Sequence, residues 1–338
     1  MTDASVKPYL ISSLTTEAAN ADDTPSDTDN KFVQARIIAL WILFVIGIVG
    51  NSMVVGWLWF NRKNTSRMNK IVLGLAIADF CVCFFVMFVS AMHTMNKSHW
   101  RLGNAMCKIN QHLQSMSLMA SSFMLVLLAL DRHQAIRRPL KPAFPLGIYK
   151  MIGLGWACAV FLSVPQFFVW HEQLKPNGFR YCTTTLSETW KIIYITYASL
   201  AQCLVPFLII TVAYARMTKK IWDKSRITRR MKRQQGANQE MYSPSKTESL
   251  ALNADSHRQE IMKQARSKTL KMSIVIILAY VICGVPYFLQ EIIRVYRPDL
   301  VINQVTGAVL GISAVTNSAV NPYIFIFFTM RRRRMSQK

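Results

Sequence analysis

Asp79 stands inside an apolar run, Leu75-Ala76-Ile77-Ala78-Asp79. An ionisable side chain in such a run is expensive and normally faces a protein interior or a water-filled cavity. Asn51, Ser121, Asn317, Ser318 and Asn321 fall at comparable depth in other apolar runs. A carboxylate ringed by hydroxyl and amide oxygens has the hard-ligand character that a small cation such as sodium prefers, so these residues form a candidate cation site. A protonated or hydrogen-bonded structural carboxyl is the alternative. A second charged group, Asp131-Arg132-His133, closes another apolar run. There Arg132 can pair with Asp131 in one state and release it in another, whereas an Arg that merely snorkels to an interface is the blander reading. No catalytic constellation of His, Ser, Cys and carboxylate is recognisable, and no CxxC pair or Cys/His cluster has metal-ligand spacing, so the chain does not read as an enzyme.

The elements that carry these groups follow from composition. Of 338 residues, 52% are hydrophobic and 17% charged. Disordered chains lack that apolar content, and soluble globules usually carry about 25% charged residues. Forty Lys and Arg against 17 Asp and Glu give a net charge of +23. Such an excess indicates nucleic-acid binding only when the cations share a face, and here most of them fall in four separate clusters, so no nucleic acid is expected. Crossing a bilayer takes roughly 20 mostly apolar residues. Seven runs qualify, at 34–60, 68–94, 104–136, 149–170, 191–217, 268–294 and 303–329. The expected fold class is all-α, a seven-transmembrane helix bundle.

Basic residues concentrate after the first, third, fifth and seventh runs, and cytoplasmic loops retain Lys and Arg. The N-terminus is therefore expected outside and the C-terminus inside a multi-pass plasma-membrane protein. Residues 1–33 form an acidic extracellular tail, 34–330 the membrane domain and 331–338 a short basic cytoplasmic tail. The loop 218–267 has a polar centre, Gln234 to Ser256, expected to be disordered between helical extensions. The basic clusters suit anionic membrane lipids. Pro165, Pro206, Pro286 and Pro322 interrupt four spans and bend them. Cys107 and Cys182 both fall on the oxidising side, where a disulfide is the default. Asn96-Lys97-Ser98, on the same side, is a glycosylation sequon.

In order along 36–330, Gly50-Asn51, Leu75 to Asp79, Trp100 to Gly103 before Cys107, Asp131-Arg132-His133, Trp156, Pro206 with Tyr214, Cys283 with Pro286, and Asn321-Pro322-Tyr323-Ile324-Phe325 resemble the motifs of rhodopsin-like (class A) G-protein-coupled receptors. Leu113 to Leu140 looks like the vasopressin and oxytocin receptors, and Ala265 to Ser273 is similar to the gonadotropin-releasing hormone and adipokinetic hormone receptors. The resemblance implies a receptor that binds an extracellular ligand, a neuropeptide by preference, and activates a heterotrimeric G protein, the Gq type being common in that group. A second copy of the receptor is a further candidate partner. Gln111, Gln114, Tyr287, Phe288, Gln290 and Glu291 would line the ligand cavity. Asp131, Arg132, Tyr214, Asn321 and Pro322 would form the switch, and Asp79 with its oxygen neighbours would hold an allosteric sodium ion. Two departures stand out: Gly284 follows Cys283 where the family has Trp, and Phe325 replaces a Tyr. A small-molecule or pheromone chemoreceptor on the same scaffold is the runner-up, and a polytopic transporter the reading from another class.

Overall fold

The computed structural model describes residues 27–62, 66–137, 147–176, 178–238, 246–300 and 303–336. Most of the expected acidic tail, residues 1–26, lies outside the described residues. Seven helices are long and apolar enough to span a membrane: Asn30–Phe60, Arg67–Met95, Gly103–Arg137, Ile148–Val169, Glu188–Lys220, Leu270–Tyr296 and Val305–Thr329. All lie within a few residues of the expected runs. Buried residues make up 67% of the third span's apolar window against 17% of the fourth's, so the third is the central post of the bundle and the fourth a peripheral stave.

Helix continues beyond the spans where the sequence allows it. One helix covers Val205–Asn238 and another Lys246–Tyr296. Disorder was the expectation from Gln234 to Ser256, yet only residues 239–245 of that stretch lie outside the described residues. The correction has a local cause, since Gln, Ala, Leu, Lys, Met and Glu on either side are strong helix formers.

Two spans are not uniform α-helix. Val82–Phe88 and Leu200–Leu204 wind as π-helix. Pro206 follows the second of these and lacks the N–H that Gln202 O would accept in an α-helix. The Tyr280 hydroxyl, from the sixth span, donates to that carbonyl instead at 3.3 Å. Pro322 likewise strands Ser318 O, and the Asn51 amide of the first span donates to it at 3.2 Å. At Pro165 the fourth span breaks after Leu162 and resumes for one turn at Gln166–Val169.

Beyond that turn, strands β1 (His171–Leu174) and β2 (Arg180–Thr183) pair antiparallel. The Cys107–Cys182 disulfide joins β2 to the start of the third span, with Cα atoms 5.6 Å apart. Trp100 and Trp170 pack round it. Asn96 is exposed at this same end, whereas Ser98 of its sequon is buried. Between the sixth and seventh spans the Arg297 guanidinium grips Asp299 at 2.8 Å and holds its carboxyl below the usual carboxylate range.

The first and seventh spans meet through Gly50. A Cβ there would lie 2.7 Å from Pro322 Cγ and 2.8 Å from Tyr323 Cε2, whereas one at Gly56, on the same helix, meets nothing within 4 Å. Overpacking costs about 1–3 kcal/mol and Gly to Ala in a helix regains up to about 1 kcal/mol. Gly50→Ala should therefore lower the thermal midpoint of the purified protein by several degrees, and Gly56→Ala should leave it unchanged or raise it. Equal midpoints for the two variants would mean that the first and seventh spans are not in this contact.

Candidate functional site

Three polar layers lie along the bundle axis. The middle layer surrounds Asp79, which is wholly buried. Ser121 of the third span donates to its Oδ1 at 2.7 Å, and Asn321 of the seventh donates to its Oδ2 at 3.0 Å. The Ser318 side chain lies beside the carboxylate. Asn317 is buried beside them, and Asn317 Oδ1 and Asn321 Oδ1 have no hydrogen-bond partner. Asn51 joins the layer through backbone, donating to Gly47 O at 2.9 Å and to Ser318 O. A carboxylate beside two unpartnered amide oxygens and two hydroxyls is an oxygen-rich set that suits a hard monovalent cation.

At one end lies Asp131, buried, with Arg132 paired to it. The Tyr214 hydroxyl of the fifth span is buried beside Ser273 of the sixth, without a hydrogen-bond partner. Phe325 sits under this layer, edge-on to Trp57 with centroids 5.7 Å apart, and is buried in the main apolar cluster with Leu125 and Tyr280. A phenyl ring without a hydroxyl fits that dry seat. Cations stack on aromatic rings around the same end: Lys70 lies 4.2 Å from the Tyr149 centroid, Arg62 5.0 Å from Trp59 and Arg226 5.6 Å from Trp222.

The disulfide end holds the residues expected to line a ligand cavity, and the structure divides them. Gln111, one helical turn beyond Cys107, brings Nε2 within 3.9 Å of Cys182 Sγ and leaves Oε1 buried without a partner. Gln114 is wholly buried, and neither of its amide atoms has a partner. Tyr287 and Phe288 meet edge-to-face at 5.3 Å between centroids and border an internal cavity with Gln202, Tyr280, Gly284 and Asn317. Gln111, Gln114, Gln290 and Glu291 do not line it. Glu291 is wholly buried and lies 3.6 Å from Arg294 Nη1. With its amide turned toward the guanidinium, Gln290 accepts from Arg294 Nε at 3.2 Å and Nη2 at 2.9 Å. The guanidinium fits against Gly307, where a side chain would displace it.

Arg294, Tyr280 and Gln202 were missed in the sequence, and each had left a signal. Arg294 follows Glu291 at i+3, the spacing of a helical ion pair. Pro206 strips Gln202 O of its donor, so a hydroxyl such as that of Tyr280 had to approach.

The description "7 transmembrane receptor (rhodopsin family)" belongs to the family that matches residues 50–325. The neuropeptide S receptor of Rattus norvegicus is 31% identical over 327 residues, covering 93% of this chain and 82% of the relative. Cephalotocin receptor 2 of Octopus vulgaris is 28% identical, covering 91% of this chain and 72% of the relative. The gonadotropin-releasing hormone receptor of Octopus vulgaris is also 28% identical, with 89% and 72% covered. Seven spanning helices make the protein a multi-pass protein of the plasma membrane. Its charged layer, its bridged hairpin and the match over most of its length agree on one conclusion: the chain belongs to the rhodopsin family of seven-transmembrane receptors, the class A G-protein-coupled receptors.

Proposed function

We propose that this receptor binds an extracellular peptide at the disulfide end, with its N-terminus outside, and activates a heterotrimeric G protein of the Gq type at the Arg132 end. The observation that carries the reading is Gln114, together with Gln111 one turn away: three amide atoms buried without partners beneath the hairpin. Unmet buried amides cost about 1–3 kcal/mol each, and peptide groups of a ligand would satisfy them. Relatives named for neuropeptide S, cephalotocin and gonadotropin-releasing hormone support a peptide ligand. Glu291 enters this reading as a partner of Arg294 rather than as an open anion, so the pocket mouth offers a compensated pair.

A ligand shifts the bundle only by its differential affinity for two arrangements. In the arrangement described, Arg132 holds Asp131, and Tyr214 of the fifth span lies against Ser273 of the sixth. Release of both contacts, with the sixth span moving about Pro286, would expose Arg132 and the basic helix ends to the G protein. Asp79, Ser121, Asn317, Ser318 and Asn321 would hold a sodium ion, which supplies positive charge opposite a carboxylate in the closed arrangement. Anionic lipid headgroups suit the stacked cations around the same end.

Neuropeptides screened in cells with a calcium readout should yield an agonist, and Arg132→Ala should cut its response by about 5- to 150-fold, the range of typical coupling free energies. An undiminished response at equal surface expression would remove Arg132 from the switch. Replacing sodium by choline should lower the thermal midpoint of the wild-type receptor, and Asp79→Asn should erase that difference; a difference that survives the substitution would put the ion elsewhere.

A further inference from the structure

The hairpin at the disulfide end keeps one edge open. Glu172 N points away from β2 and donates to Asn104 Oδ1 at 3.0 Å. Backbone groups alternate along a strand, so the main chain of Leu174 points the same way, and among the described residues no backbone group meets it there. On the opposite edge Trp100 N donates to Arg180 O at 2.7 Å, which ties the loop after the second span to β2. Apolar surface adjoins the open edge, with Leu174 64% and Phe179 47% exposed. The same surface is positive. Across residues 96–103 and 170–187 the chain carries Lys97, Arg101, Lys175 and Arg180 against Glu172 alone, which pairs with Arg180 at 3.3 Å.

Residues 1–26 carry the opposite charge, with Asp3, Glu17, Asp22 and Asp23 against Lys7, and they include one apolar run, Tyr9-Leu10-Ile11. Two spans separate this tail from the loop after the second span and four separate it from the hairpin, so all three leave the bundle on one side. The first helix, which starts at Asp27, packs against Val89–Met95, and that segment leads into the loop carrying Lys97 and Arg101. The chain from Ile11 to Asp27 reaches up to about 50 Å when extended. We propose that the tail docks on the hairpin, with Glu17, Asp22 and Asp23 on Arg101, Lys175 and Arg180 and with Tyr9-Leu10-Ile11 along the open edge of β1. Its main chain meets that of Leu174, and its side chains cover Leu174 and Phe179. An edge of unpaired backbone groups is a template for an added strand, and opposite charge selects which one. Attachment to the first span favours this segment over one from a second copy, because a short linker supplies an effective concentration in the mM range.

The test is hydrogen exchange on the purified receptor without ligand or G protein, so failure of the proposed signalling leaves its result standing. Glu17→Gln, Asp22→Gln and Asp23→Gln together leave Asp3 and Lys7 in balance. They should speed exchange at the Leu174 amide about 2- to 12-fold, the factor given by one hydrogen bond of ordinary net strength. Arg101→Gln with Lys175→Gln should do the same from the other side of the contact. So should 1 M choline chloride, in which charges are screened beyond about 3 Å. A synthetic peptide of residues 1–26, added to the receptor with the neutralised tail, should slow exchange again. In an equal mixture of 15N-labelled and unlabelled receptor, carbodiimide should couple Lys175 to Glu17, Asp22 or Asp23 within single chains. Couplings that join labelled to unlabelled chains would give the hairpin to a second copy and overturn the proposal. Exchange at Leu174 that the tail substitutions leave unchanged overturns it as well, since the edge is then open or covered by something other than the tail, such as the bilayer surface.

Discussion

Polar groups inside the spans must find their partners within the protein, because hydrocarbon supplies none. Much of the arrangement depends on that constraint. Proline strips a carbonyl of its donor, and the repair comes from another span: Asn51 reaches Ser318 O across 267 positions of sequence, and Tyr280 reaches Gln202 O across 78. Asp79 is met from the third and seventh spans together. Interhelical hydrogen bonds in membranes average only about 0.6 kcal/mol and reach about 1.7, so no one of them holds the bundle. Their value lies in selection: a bundle with the spans rotated or exchanged would leave buried carbonyls and a carboxylate unmet, at a larger cost. Small residues then let the helices close, as Gly50 does against Pro322 and Tyr323.

Much of this was legible in the chain because membrane physics writes in long strokes. Span positions follow from runs of apolar residues, and all seven came out within a few residues. The Asp79 layer was legible because a carboxyl in such a run has few places to go. Other features leave weaker traces. The β-hairpin rests on two four-residue strands that no alternation marks, since β2 is buried at three successive positions. Helix into the loop after the fifth span was masked by its polarity, although its residue types favour helix. Glu291 looked like an open pocket group until the fold set Arg294 beside it. The cavity at Gly284 is the hardest case, because a missing side chain becomes a void only if no neighbour moves in, and packing decides that.

The closed end of the bundle rests on two contacts of different reach. Asp131 and Arg132 are adjacent in sequence, and adjacent residues do not share a face of a helix. Arg132 therefore pairs only by folding its long side chain back, an arrangement that rotation about side-chain bonds undoes without moving the backbone. Tyr214 and Ser273 instead face each other from two separate spans, so parting them requires those spans to separate. A fast local contact and a slower collective one stand in series at the same place.

The π-helical turn at Val82–Phe88 gives the second span an unusual rhythm. Buried residues recur at every fourth position, Val82, Val86 and Ser90 on one line and Cys83, Met87 and Ala91 on the next. At 3.6 residues per turn such lines would drift by about 40° each turn; underwinding keeps them facing inward. The half of the helix nearer the disulfide is thus phased independently of the half that carries Asp79. A relative one residue longer or shorter at this turn would present a different set of side chains to its ligand while its charged layer stayed in place. Descent can in this way redraw what such a receptor recognises and leave untouched how it responds.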